Sequence, residues 1–178
     1  MNSINAQQPE QNRENLDGQA AIEKIRELVK QSSTCFFCTG IATGKHIPTR
    51  PMAVQKIDDE GVLWFLAAAD SELCNDLATD PAAQLLFQGS AHSDFLTLYA
   101  RGEVSVDKAK IEELWEPLVK TWFTEGKDDP RIRVIKVVPI RGYYWDTKHN
   151  RAIAFAKMVA GAIVGKTLDD SIEGTLRP

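Results

Sequence analysis

From Ala20 onward, Ile22, Ile25, Leu28 and Val29 recur at helical spacing, which predicts an amphipathic helix ending near Ser32, with Asp17 as its candidate cap. The pattern then changes. Cys35 to Ile41, Thr49 to Ile57 and Val62 to Ala69 are short runs rich in β-branched and aromatic residues, with glycines and the turn Asp58-Asp59-Glu60-Gly61 between them. They predict a meander of three strands. Asp70 or Ser71 can cap a short helix carrying Leu73, Leu77 and Ala78, which Asp80-Pro81 ends. Ala83 to Gln88 and a long run, Phe95 to Val106, predict further strands. Ile111, Leu114, Trp115, Leu118, Val119, Trp122 and Phe123 follow at helical steps, giving one longer helix bent at Pro117. Ile132 to Val138 and Gly142 to Asp146 supply the last strands. Strands and helices do not interleave in βαβ order, so the fold class expected is α+β, an antiparallel barrel or sandwich with flanking helices.

Residues 1–18 hold four Asn and three Gln with almost nothing apolar and read as a disordered polar tail. Residues 19–166 form the expected domain and 167–178 a C-terminal tail. A chain of 178 residues, 43% hydrophobic and 26% charged, has the composition of a folded single domain. Its net charge of −4 provides no basic field for a phosphate backbone or an anionic bilayer, so neither nucleic acid nor membrane is an expected partner. The longest uninterrupted apolar run, Val62 to Ala69, has eight residues, against about 20 for a membrane span. With no secretory pattern at the start and three cysteines suited to free thiols, a cytoplasmic location is expected.

Several motifs fall short of the chemistry they suggest. Gly40-x-x-x-Gly44-Lys45 and Gly161-x-x-x-Gly165-Lys166-Thr167 each have one residue too few to wrap a phosphate loop around a nucleotide. No G-x-G-x-x-G supports a dinucleotide site. Cys35-Phe36-Phe37-Cys38 has redox or zinc spacing but no second ligand pair, and a strand would send its side chains to alternating faces. No metal is expected. His46, His92 and His149 are scattered, and there is no Gly-x-Ser-x-Gly elbow for a serine nucleophile. Trp115 and Trp122 lie on an apolar helix stripe, while Trp145 closes the run Gly142-Tyr143-Tyr144-Trp145-Asp146.

One segment does converge on a chemistry. Thr49-Arg50-Pro51-Met52 on one strand, Val62 to Ala67 on the next, and Ser71 at a helix start would bring a guanidinium, a hydroxyl and helix amides to one place, as a phosphorylated ligand requires. As a pattern it fits either a phosphate site or a structural coincidence.

The order of motifs carries more. Arg50-Pro51-Met52, a hairpin, Trp64-Phe65, Ser71 before a short helix and Asp80-Pro81 come first. Leu98-Tyr99-Ala100-Arg101-Gly102-Glu103, Trp122-Phe123-x-x-Gly126-x-Asp128-Asp129-Pro130 and Tyr144-Trp145-Asp146 follow. Over Ile22 to Lys166 this order resembles the general stress protein 26 group of the pyridoxamine 5′-phosphate oxidase-like, FMN-binding split-barrel superfamily. The resemblance implies a six-stranded antiparallel split β-barrel, a homodimer, and FMN held in a groove between subunits. By position, Arg50 and Ser71 would bind the phosphate, with Thr49 beside them. The backbone of Pro51, Met52, Phe65, Leu66 and Ala67 would face the ribityl chain and ring. Thr97, Trp122 and Trp145 stand where the family draws contacts from the partner subunit. The family's usual Ser-x-Lys becomes Ser71-Glu72-Leu73 here, which removes a phosphate lysine. The implied function is a flavin-dependent oxidoreductase-like stress protein; the alternatives are a non-catalytic flavin carrier or redox sensor, and a binding module without flavin. A true pyridoxamine phosphate oxidase is not expected, because only Arg151 and Arg177 follow Trp145, without the spacing of that enzyme's substrate segment.

Overall fold

The structure is a computed structural model that describes residues 12–42, 46–90, 93–147 and 170–178. In chain order it contains β1 (Leu16–Asp17), α1 (Gln19–Gln31), β2 (Thr34–Thr39), β3 (Thr49–Ala53), β4 (Lys56–Ile57), β5 (Leu63–Ala68), α2 (Glu72–Thr79), β6 (Ala82–Gln88), β7 (Phe95–Ser105), α3 (Lys108–Leu114), β8 (Ile132–Thr147) and β9 (Ser171–Arg177). Two short 3₁₀ segments, Pro117–Thr121 and Gly126–Asp128, lie between α3 and β8.

The strands form an α+β split barrel. Around the ring β6 pairs with β2 and β7, β7 with β8, and β8 with β5, all antiparallel. β2 also pairs with β3, and β5 with β4. The ring is completed by one stretch of chain: the Val54 N–H donates to the Ser33 carbonyl at 2.7 Å, and the next N–H, of Gln55, donates to the Trp64 carbonyl at 2.8 Å. β3 and β5 therefore diverge without a shared ladder, and the barrel is split between them.

Alternation explains why these strands close around a core. Along β5, Leu63, Phe65 and Ala67 point inward and join Phe37, Leu85, Leu98, Ile135 and Val137 in the barrel interior. Trp64, Leu66 and Ala68 point outward, onto a smaller cluster of Ile111, Leu114, Val119, Phe123, Ile132 and Val134. α1 covers one part of the barrel with Ala21, Ile25, Leu28 and Val29, all buried. α2 closes another, and Gly102 on β7 lets it approach, since a Cβ there would stand 2.8 Å from the Leu77 side chain.

Four local expectations change. Gly18, at φ +56°, precedes α1 in place of an Asp17 cap, and no side chain caps that helix. The helix expected through Phe123 stops at Leu114, because Pro117 has no N–H to donate and its ring disfavours helical geometry in the residue before it. The two runs after Ile132 are one strand of 16 residues. Its N-terminal half pairs with β5 and its C-terminal half with β9, and Pro139 sits in the gap between those ladders, where no N–H is required. Ile140 is the extra residue of a bulge opposite Tyr99 and Ala100. Finally, the segments read as tails supply strands. Ser171–Arg177 pairs with β8, and Leu16–Asp17 runs parallel to it in the register Leu16↔Leu176. The Tyr144 hydroxyl donates to the Glu14 carbonyl at 3.0 Å, and Gly174 has no room for a side chain, its Cβ position lying 1.6 Å from that carbonyl oxygen. Edge pairing and one buried tyrosine thus order segments too polar to reveal a strand by periodicity. Residues 1–11 and the motif Gly161 to Thr167 lie outside the described residues.

Candidate functional site

The split between β3 and β5 is a groove of about 380 Å³. Its walls come from Arg50 to Ala53 with Gln55 on one side and Leu66 to Ala68 on the other. Ser71 and Leu73 at the start of α2 close one end, and Val119, Trp122 and Phe123, after the Pro117 break, roof it. Most of this lining is apolar, and among the described residues Arg50 is its one ionisable side chain. Such a surface suits a flat, largely apolar ligand carrying a polar or anionic tail.

Arg50 enters this space because β3 pairs it with Phe37, so its side chain leaves β3 on the barrel's inner side, toward α2. Its Nη2 donates to Asp76 Oδ2 at 2.9 Å and its Nη1 to Thr39 Oγ1 at 3.1 Å. The Thr39 hydroxyl in turn donates to the same Asp76 oxygen at 2.5 Å. Burial raises the Asp76 carboxyl, but the hydrogen bonds from Thr39 and Arg50 and the guanidinium charge outweigh it and leave its pKa below the ordinary value. Ser71 occupies the N-cap of α2 in extended conformation, and its hydroxyl accepts from the Cys74 N–H at 3.3 Å. Leu73 is 1% exposed and belongs to the barrel core while touching the groove.

Of the residues picked out by resemblance, Arg50, Pro51, Met52, Leu66, Ala67, Ser71 and Trp122 meet at this groove. Trp122 does so from the same chain as Arg50 and is largely exposed at the rim. Phe65 is adjacent in β5, its ring buried in the core edge-to-face with Phe37. Thr49 is exposed on β3, and its hydroxyl donates to the Ile47 carbonyl at 3.1 Å. Thr97 and Trp145 lie elsewhere, on the outer face of the sheet. A cross-strand row runs there through Pro51, Phe36, Leu86, Thr97 and Tyr143, with Trp145 packed at a tilt against Tyr143, 4.7 Å between ring centroids. Pro51 borders both the groove and a second cavity of about 580 Å³ on that outer face, so the two surfaces meet at β3.

Thr39 and Asp76 were not among the sequence candidates. The available hint was a carboxylate three residues after Leu73, on the apolar face of a short helix. Cys35 and Cys38 are free and buried, and burial, then Cys38, pushes the Cys35 thiol up to about 12, which keeps it protonated at neutral pH. Among the described residues no group of three or more His, Cys, Asp or Glu side chains is placed to hold a metal ion, and no helix is long and apolar enough to cross a membrane.

Residues 20–169 match the family described as "Pyridoxamine 5'-phosphate oxidase like". The Neurospora crassa protein bli-3 is 24% identical over 165 residues, 85% of this chain and 79% of that protein. A solved structure described as general stress protein 26 from Jannaschia sp. CCS1 superposes with TM-score 0.75 at 22% identity, over 88% of this chain and 97% of that one. The general stress FMN/FAD binding protein of Xanthomonas citri superposes with TM-score 0.58 at 24% identity, over 68% and 85% of the two chains.

Proposed function

This chain belongs to the pyridoxamine 5′-phosphate oxidase-like family, and from that membership we propose that it binds FMN in the groove between β3 and β5 and serves as an oxidoreductase-like general stress flavoprotein. The observation that carries the reading is the convergence of Arg50, Pro51, Met52, Leu66, Ala67 and Ser71 on one cavity of about 380 Å³. The apolar walls fit a tricyclic ring, and Arg50 with the amides at the start of α2 fits an anionic tail. A bound flavin supplies hydride or single-electron exchange. The chain's own residues bind and orient it: Met52, Leu66 and Ala67 exclude water from the groove, Trp122 covers its rim, and Arg50 fixes the tail. Among the described residues that line the groove, Arg50 is the one ionisable side chain, so none of them is a ready acid or base for proton transfer. That favours either direct hydride exchange or the second reading, a flavin carrier or redox sensor.

A homodimer belongs to this proposal. Phe36, Leu86, Ile140 and Trp145 are large apolar side chains exposed on the sheet's outer face. A second copy seated there would cover them and bring Thr97 and Trp145 to the mouth of a groove that already opens onto that face at Pro51. A cytoplasmic location is part of the same reading.

The test titrates FMN, by flavin fluorescence, into wild type, Arg50→Ala and Lys56→Ala. Lys56 is outside the groove and pairs with Glu113, so its loss leaves affinity within about twofold. Loss of Arg50 removes a charge-assisted contact and weakens binding roughly tenfold to a hundredfold. Equal, small losses place the phosphate elsewhere. Bleaching of the flavin band at catalytic rates by NADH or NADPH selects the oxidoreductase, and its absence selects the carrier. Light scattering of the flavin-bound protein addresses assembly, and a monomer near 19.8 kDa rejects the dimer.

A further inference from the structure

We propose that Asp76 is a positioning residue that sets how strongly the groove prefers a phosphorylated flavin over an unphosphorylated one. It holds the Arg50 guanidinium in place and at the same time neutralises it. The proposal rests on the flavin reading above and goes past it, from which ligand binds to what determines its selection.

The geometry is a closed triangle. One oxygen, Asp76 Oδ2, accepts from both Thr39 Oγ1 at 2.5 Å and Arg50 Nη2 at 2.9 Å, while Thr39 Oγ1 accepts from Arg50 Nη1 at 3.1 Å. Thr39 is fully buried and both its hydrogen and a lone pair are committed, so the guanidinium cannot turn without breaking the set. Two of its five N–H groups are used, and the others remain for a ligand.

The charge balance has the opposite effect. Arg50 and Asp76 sum to zero, and Leu73, packed in the barrel core, supplies no cation. Asp70 and Glu72, the nearest chain neighbours of Ser71, are exposed acids. Taken over Arg50, Asp76, Leu73, Asp70 and Glu72, the tail end of the groove therefore offers donors in good geometry but no net positive charge. A phosphate dianion gains hydrogen bonds there and loses part of the attraction that ordinarily separates FMN from riboflavin. The carboxylate's depressed pKa keeps that countercharge in place at neutral pH.

Asp76→Asn separates the two roles, because a single amide oxygen can accept from Thr39 and Arg50 as Oδ2 does while the charge is gone. The experiment measures dissociation constants of FMN and riboflavin for the full chain, wild type and Asp76→Asn, at low and high salt. Expected is FMN binding about tenfold tighter in the variant, a steeper salt dependence, and riboflavin within about twofold of wild type. A purely structural Asp76 would change both flavins together. Asp76→Ser, which also removes the charge, is measured in parallel and must move the FMN-to-riboflavin ratio in the same direction. An unchanged ratio, or both flavins shifting alike, overturns the role of Asp76 and leaves the flavin reading intact. If neither wild type nor variants bind either flavin, the flavin reading falls and this proposal with it.

Discussion

β5 separates two apolar clusters that differ in how they are held. Inside the barrel, Phe37, Leu85, Leu98 and Ile135 are all at 0% exposure and are paired to a neighbouring strand on both sides. On its outer side, Val119 and Phe123 pack against Ile132 and Val134 from a chain that has just been broken by Pro117 and carries only 3₁₀ turns. The barrel residues are fixed by neighbours that cannot move independently, whereas the outer cluster is fixed mainly by its own packing. The groove lies where the two meet, with Ala67 and Leu73 from one and Val119 and Phe123 from the other. A ligand there reports on the less constrained side.

Phe37→Ala removes a ring packed edge-to-face on Phe65 at 5.4 Å and should cost about 3–5 kcal/mol in denaturant unfolding. Flavin affinity of the fraction that remains folded should stay within about twofold. Phe123→Ala should cost less, about 2–3 kcal/mol, because the chain around it can settle into the space, yet it should weaken flavin binding severalfold. If the order of the two stabilities reverses, or Phe37→Ala is the variant that damages binding, the outer cluster is not the adaptable wall of the groove.

A smaller effect is expected at the groove's polar end. Asp76 has a folded-state pKa below its unfolded value, so its contribution is present above the ordinary carboxylate range and is lost as pH falls through the depressed value. In acid titrations of the melting temperature, wild type should lose more stability below about pH 4 than Asp76→Asn, with the two curves parallel above about pH 5. Curves that stay parallel throughout would show that the triangle with Arg50 and Thr39 does not stabilise the fold.

Much of this was readable from local chemistry. The strand composition of Val62 to Ala69, a helix cap at Asp70 or Ser71 and the stop at Asp80-Pro81 all follow from rules that act within a few residues. What was hidden depends on partners far along the chain. Nothing near Asp76 reveals that it meets an arginine 26 positions earlier. Pro139 looks like a strand end until the change of ladder partner around it is known. Trp122, read as one more residue on a helical stripe, is exposed at the groove rim because Pro117 ends the stripe early, while Phe123 beside it remains buried. Thr97 and Trp145 were identified by resemblance to a dimeric site, and within one chain they lie on the outer face and not in the groove.

The pairing of β1 with β9 bears on the order in which the barrel forms. The Thr175 N–H donates to the Asn15 side chain across 160 positions, and the Glu14 and Gly18 N–H groups donate to the Glu173 and Arg177 carbonyls. A contact that spans nearly the whole chain carries the largest loop-closure entropy in the molecule until the intervening hairpins have shortened the effective loop. The β6–β7 and β7–β8 ladders must therefore assemble first, and the first described strand docks onto a nearly finished sheet. The same reasoning applies in reverse. Native-state hydrogen exchange should therefore show the amides of this seam exchanging before those of β7.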